Sequence, residues 1–394
     1  MKRNHIGLTA FTATVVASLV LAGCSSRTDT AGADAGGTLE SFDPTVIRAA
    51  LITPQAGTNG VVADSLFEYV TEATAGKITF EPYWSNSLVP ANEVLPSVQA
   101  GTVGFGGFST SLNPDELPVS QWLRDLGSES SYDIATPEGH LQQLLATWDL
   151  FQSSDILDAE FAAQNAKVLT GFASAPYNLA CVDPVETLDE ADGKRVHVGG
   201  GSWIPEADSL GMSTQFINGP EMYEALQRGV IDCVVWPATI QNDFSIQDVA
   251  PNFTPAQFST FLGYMQVLNL DTWESFPQEV KQIFEEAAIQ STIRSAEVNL
   301  EDTAEYLAND RVTTHDASEL DEALAATQKE ALSTLADRAP SAVTDPEVFI
   351  EGYTQNLEFW KGVIDEIKAQ SPDLDGWQER VSEVMHERSR ALNP

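Results

Sequence analysis

The chain has 394 residues, with 58 acidic side chains against 20 basic ones and a formal net charge of −38. A surface of that sign repels a polyanion, so binding of DNA or RNA is excluded, and the acidity reads as a solvated surface suited to an extracellular or salty medium. With 43% hydrophobic residues and eight tryptophans, the chain has material for more than one core.

The amino terminus opens with Lys2 and Arg3, runs through an apolar stretch over residues 6–20, and reaches Leu21-Ala22-Gly23-Cys24. That order predicts a bacterial lipoprotein signal peptide over residues 1–23, with the Cys24 thiol as the site of lipid attachment. A plain secretory leader or an uncleaved helix is the alternative, but the apolar stretch is short for a membrane span. Residues 24–42, rich in Gly, Ala, Ser, Thr and Asp, read as a flexible stalk. Lipid anchoring at the extracytoplasmic face of the cell membrane follows as an expectation.

Beyond the stalk, residues 46–52 read as a strand ended by turn residues from Thr53 to Gly60. Val62, Leu66, Phe67 and Val70 then recur at helical spacing, with Gly76 placed to cap. Strands over 78–83 and 103–108 enclose a helix over 91–100, which gives a βαβαβ order and a parallel sheet covered by helices. The same order returns with strands over 177–182, 195–198, 214–217 and 231–236 and helices over 204–210 and 220–228. From Pro277 onward the pattern is helical, in segments reaching 307, then 320–336, 346–369 and 377–392. Two α/β units predict two lobes with a cleft between them. The boundaries read as lobe 1 over 43–172, lobe 2 over 173–261, and a hinge return with helical C-terminal region over 262–394, part of which completes lobe 1.

Of three cysteines, Cys181 and Cys233 remain once Cys24 is assigned to lipid. In an oxidising compartment they form either a disulfide or two small buried thiols. None of the five histidines has a second His, Cys or carboxylate at metal-site spacing, and no phosphate loop, dinucleotide fingerprint or nucleophile elbow is present. No metal, cofactor or catalytic residue is expected, and function should sit in the loops after the strands.

The run 188–198 (LDEADGKRVHV) followed by 220–232 (PEMYEALQRGVID) resembles the solute-binding proteins of TRAP (tripartite ATP-independent periplasmic) transporters. Supporting matches are Thr74-Ala75-Gly76-Lys77-Ile78, Val98-Gln99-Ala100-Gly101-Thr102-Val103 and Phe276-Pro277-Gln278-Glu279-Val280. The resemblance covers most of residues 45–300. It implies a two-lobe periplasmic-binding-protein-like fold that closes on one small molecule and delivers it to the membrane permease subunits. The expected ligand class is an organic acid held by an arginine on the 194–198 strand.

At that arginine's position stands His197, and at a second arginine position stands Asn178. Arg195 lies two residues before His197 and so on the same side of the strand, where a shifted alignment would bring it to the cleft. Without a guanidinium fork, a neutral or weakly acidic ligand, aromatic ones included, becomes the expectation over a simple dicarboxylate. His197 would either donate one neutral hydrogen bond or, protonated, replace the arginine in part. The resemblance also implies contacts at Ser109 and at Trp236, where the family usually has an asparagine; core packing is the alternative for Trp236.

Three further candidates come from the residues themselves. Thr53 follows the first strand, and Gly199-Gly200-Gly201-Ser202 joins a strand to a helix, where its amides and the Ser202 hydroxyl could meet a ligand or the glycines could serve a turn. Trp203 could close over the ligand or pack against its own lobe. A ligand-binding sensor subunit for a membrane receptor and an extracellular hydrolase are the competing functions, the latter lacking a recognisable nucleophile and base.

Overall fold

A computed structural model describes residues 38–133, 136–217, 219–372 and 374–392. The leader, Cys24 and most of the stalk lie outside the described residues. Residues 38–42, assigned above to the stalk, are folded onto the body: Leu39 N donates to Glu279 Oε2 at 2.8 Å, and Phe42 meets Phe276 edge to face at 5.6 Å.

In chain order the strands are β1 (Thr45–Leu51), β2 (Ile78–Tyr83), β3 (Phe105–Ser109), β4 (Ala166–Ala173), β5 (Tyr177–Cys181) and β6 (Arg195–Val198). There follow β7 (Ser213–Gln215), β8 (Cys233–Pro237), β9 (Asn252–Phe258), β10 (Leu262–Asn269) and the two-residue β11 (Thr313–Thr314). They form two sheets, ordered β2-β1-β3-β10-β4 and β11-β9-β5-β8-β6-β7. As the βαβαβ reading requires, β2, β1 and β3 are parallel, and so are β7, β6 and β8.

The sequence pattern missed β4, β9 and β10, which carry the chain between the sheets. All eight residues of β10 and all but Lys167 of β4 are buried, so these strands lack the alternation that marks a strand with one wet face. Also unforeseen are the helices Pro137–Ser153 and Asp155–Ala163. Each begins on a side-chain cap, Thr136 Oγ1 accepting from Gly139 N and Ser154 Oγ from Leu157 N.

Residues 174–176 lead from lobe 1 to lobe 2, and residues 259–261 lead back. The two connections hold each other, since Ser174 N donates to Phe261 O at 2.9 Å and Phe261 N to Ser174 Oγ at 3.1 Å. Lobe 1 grips the return segment at Gly127, whose carbonyl accepts from Thr260 N at 3.0 Å and from Thr260 Oγ1 at 2.7 Å. A side chain at Gly127 would put its Cβ 2.0 Å from Thr260 O, so glycine is required there by close approach. The third crossing is the 30-residue helix Gln278–Leu307, which packs Phe284 in the lobe 1 core and Tyr306 against Phe253 of β9.

Lobe 1 has cores on both faces of its sheet, one of them shared with the C-terminal helices through Leu357, Trp360, Ile364, Trp377 and Met385. In lobe 2 the period-2 geometry of strands divides the apolar residues cleanly. Val196, Val198, Cys233 and Val235 belong to one face, and Val234 and Trp236 to the other. Cys181 and Cys233, left open above, are directly opposed across β5 and β8 and form a disulfide.

Candidate functional site

The carboxyl ends of β1, β3 and β8 converge where the two sheets face each other, and the hinge segments close the back. A cavity of about 190 Å³ lies there. Lobe 1 contributes Thr53, Ser109, Phe172 and Tyr264; the hinge contributes Ser174, Ala175 and Phe261; lobe 2 contributes Tyr177, Pro237 and Thr239. Hydroxyl groups and aromatic rings thus share one wall. Thr53 Oγ1 lies 3.5 Å from the Tyr264 hydroxyl, and Ser109 Oγ lies 2.6 Å from Ser111 Oγ. Burial pushes the Tyr264 hydroxyl up to about 12, so it stays protonated and able to donate.

Two of the residues singled out from the sequence, Thr53 and Ser109, line this cavity; the others stand elsewhere. Asn178 is buried within β5, its amide Nδ2 donating to Ala256 O at 3.3 Å. Trp203 is 2% exposed, stacked on Tyr177 at 4.4 Å, with its indole N–H donated to Ser259 O at 2.7 Å. It therefore backs the cavity wall through Tyr177. Trp236 is buried on β8, edge to face with His197 at 5.3 Å and beside Phe244.

His197 is equally enclosed, and its Nδ1 accepts from Ile217 N at 3.3 Å. Burial lowers its pKa to about 4, which makes it neutral at physiological pH and removes the protonated alternative. Ser202 sits in the short 3-10 turn Gly201–Trp203. The preceding glycines meet neither a left-handed turn nor a long helix start, because Gly200 has the extended φ of 167° and the following helix, Ile204–Ser209, has six residues.

Arg195 does not enter the cleft. It does share a side with His197, but it stands at the opposite, amino end of β6, where Asp232 engages it bidentately (Nε to Oδ2 2.9 Å, Nη2 to Oδ1 2.7 Å). The arginine holds the Asp232 carboxyl below its usual range.

Sequence reasoning missed Tyr177, Tyr264 and Arg124. Tyr177 was placed at the start of a strand but not at a site, and Tyr264 lies on the strand whose pattern was hidden by full burial. Arg124 falls in the 3-10 segment Leu123–Ser128 of lobe 1, amid the buried Trp122, Leu123 and Leu126. Its Nε donates to Gln121 O at 3.2 Å. It lines a second, larger opening of about 730 Å³ between the lobes, together with Gly201, Glu206, Ser259 and Arg338. The signal available was a cation inside an apolar run, with no carboxylate at helical spacing on the same stretch.

Two α/β lobes joined by crossing strands, with a cavity at the strand ends between them, define the solute-binding architecture of extracytoplasmic receptors. Solved structures share it. A TRAP periplasmic solute-binding protein from Desulfovibrio salexigens has a TM-score of 0.67 at 21% identity, covering 81% of this chain and 97% of its own. The ectoine-binding protein of the TeaABC TRAP transporter of Halomonas elongata has a TM-score of 0.67 at 17% identity, covering 80% of this chain and all of its own. Among characterised sequences, a monocarboxylate 2-oxoacid-binding periplasmic protein of Nostoc is 24% identical over 304 residues, 74% of this chain and 76% of the relative. The chain belongs to family 7 of the bacterial extracellular solute-binding proteins, whose family model matches residues 140–340.

Proposed function

We propose that this protein captures a small organic molecule in the interlobe cavity and delivers it to the permease subunits of a TRAP transporter, tethered to the membrane through lipid on Cys24. The observation that carries the reading is the cavity at the ends of β1, β3 and β8, where both lobes and the hinge contribute wall. Hydroxyl donors at Thr53, Ser109 and Tyr264 orient a polar group, while Phe172, Tyr177 and Phe261 cover an apolar portion. The Nostoc relative, which binds monocarboxylate 2-oxoacids, adds weight to a small acid as ligand. The bound molecule leaves unchanged: the cavity's hydroxyls and rings position a solute, and among the described residues the hydroxyls of Thr53 and Ser109 meet those of Tyr264 and Ser111 rather than a base.

The test is native mass spectrometry of the soluble form beginning after Cys24, with release and identification of anything bound. One stoichiometric small molecule that also raises the melting temperature is the expected outcome. Chemical conversion of that molecule by the purified protein would overturn the reading in favour of an enzyme.

A further inference from the structure

We infer that Glu206 is a proton-operated clasp on the return hinge, which holds Ser259 to lobe 2 while its carboxyl is protonated and lets go as the carboxyl ionises; the inference rests on the two-lobe solute-binding reading above. The pivot narrows to one peptide link. Ser259 is held by lobe 2: its Oγ lies 2.5 Å from Glu206 Oε1, its N–H donates to Glu206 Oε2 at 3.2 Å, and its carbonyl accepts from Trp203 Nε1 at 2.7 Å. Thr260, the next residue, is held by lobe 1, since Gly127 O takes its N–H and its Oγ1 lies 2.9 Å from Gln143 Oε1. A turn of one lobe against the other is taken up at the Ser259–Thr260 link unless one of these grips opens. The same carboxyl holds a further crossing. Gln328 Nε2 donates to Glu206 Oε1 at 3.0 Å, and the helix that carries it, Ser318–Ser333, packs Leu320 and Leu324 into the lobe 2 core. A short way along the chain, Leu335 O accepts from Trp122 Nε1 of lobe 1 at 2.8 Å.

Glu206 is 4% exposed, and every partner in this grip is uncharged. Among the described residues, no cation lies within ion-pair distance of it. Of the charged groups on the elements around it, Asp208 on its own helix is exposed, and Asp321 on the helix Ser318–Ser333 is taken by Gln257 N. Arg124, Asp125, Glu330 and Arg338 line the same opening, where Arg338 pairs with Asp125. Burial, with the Asp125 charge adding to it, raises the Glu206 carboxyl to about 7, against hydrogen bonds from Ser259 and Gln328 that lower it only in part. Released into water, the group returns toward its ordinary 4.5. The gripped state therefore binds more protons than the released one, so the grip is complete below pH 4.5 and is lost as pH rises to about 7.

The test is amide exchange at Ser259 and Thr260 with no solute added, each rate corrected for the intrinsic effect of pH, in wild type and in Glu206→Gln. The glutamine keeps the size and an acceptor oxygen but cannot ionise. In wild type, Ser259 protection should fall by roughly tenfold between about pH 5 and about pH 7.5, while Thr260 keeps its own. In Glu206→Gln it should stay high throughout and exceed wild type at the upper pH; a merely structural role predicts a weaker grip at every pH. Gln328→Ala removes a neutral donor that favours the ionised form, and should move the midpoint of the Ser259 transition to higher pH. Protection of Ser259 that ignores pH in wild type, a Glu206→Gln protein less protected than wild type at the upper pH, or a midpoint unmoved in Gln328→Ala each overturns the inference. Because no solute is involved, such a failure leaves solute capture standing, and a protein that never yields a bound solute can still show the clasp.

Discussion

The two lobes are built on the same grammar, three parallel strands extended by antiparallel ones, yet they are held together by different means. The lobe 1 sheet lies between helices on both faces, and the C-terminal helices thicken one side with buried Trp360 and Trp377. It can also enclose an ion pair, Arg388 with the fully buried Asp149. The lobe 2 sheet ends in short, exposed edge strands, β7 with the pattern exposed, intermediate, exposed and β11 with two exposed residues. Its centre is fastened by Cys181–Cys233 and plugged by Trp203. Burial alone suffices where helices are plentiful; the thinner lobe adds a covalent link.

The largest test of that contrast removes the link. The disulfide closes a separation of 52 residues, which in the chain-entropy account corresponds to about 4 kcal/mol. Cys181→Ala with Cys233→Ala should therefore destabilise the protein by that order, and amide exchange should show the loss in β5, β6 and β8 while β1, β3 and β10 keep their protection. Equal loss in both sheets would mean that the lobes unfold as one unit and that the contrast has no energetic content.

How far the sequence discloses these features follows from burial. β1, β2 and β3 and the parallel strands of lobe 2 were legible because Gly and Pro turns bound them and helices at 3.6-residue spacing separate them. β4 and β10 were not, since a strand covered on both faces shows no regular alternation of apolar and polar residues, and the polar residues they do carry, such as Thr170 and Gln266, are themselves buried. At the site, Thr53 and Ser109 could be found because each immediately follows a strand. Arg195 misled for a physical reason: period 2 fixes the side of the sheet on which a residue lies but not the end of the strand, and Asp232 at the amino end captures it. Arg124 was hidden because its neighbourhood is assembled from lobe 1, Gly200 and the hinge, which no local pattern joins.

A second test asks whether the lobes differ under acid as they should under reductant. Each encloses one neutral histidine, His140 in lobe 1 and His197 in lobe 2, and burial lowers both to about 4. The folded state then binds fewer protons than the unfolded chain between pH 6.5 and about 4. Stability from each histidine is complete above pH 6.5 and is lost as pH falls toward about 4, by up to about 3 kcal/mol. Comparison with His140→Gln and His197→Gln cancels the opposite trend of Glu206, whose pKa is raised to about 7 and whose burial becomes less favourable as pH rises. Acid should loosen both lobes alike, and each variant should flatten the profile of its own lobe. Ligand affinity above pH 6.5 should be the same in wild type and His197→Gln, since a neutral His197 supplies no charge to an acid.

The smallest expected effect belongs to Arg195. Arg195 is 43% exposed and Asp232 29% exposed in their side chains, so their pairing is screened by solvent, and Arg195→Gln should cost little stability, and less still in high salt. Its effect on ligand affinity should be nil, because the guanidinium is neutralised at the amino end of β6 while the cleft forms at the carboxyl ends. If Arg195→Gln weakened binding markedly, the cleft would have to rearrange on closure far enough to release Arg195 from Asp232.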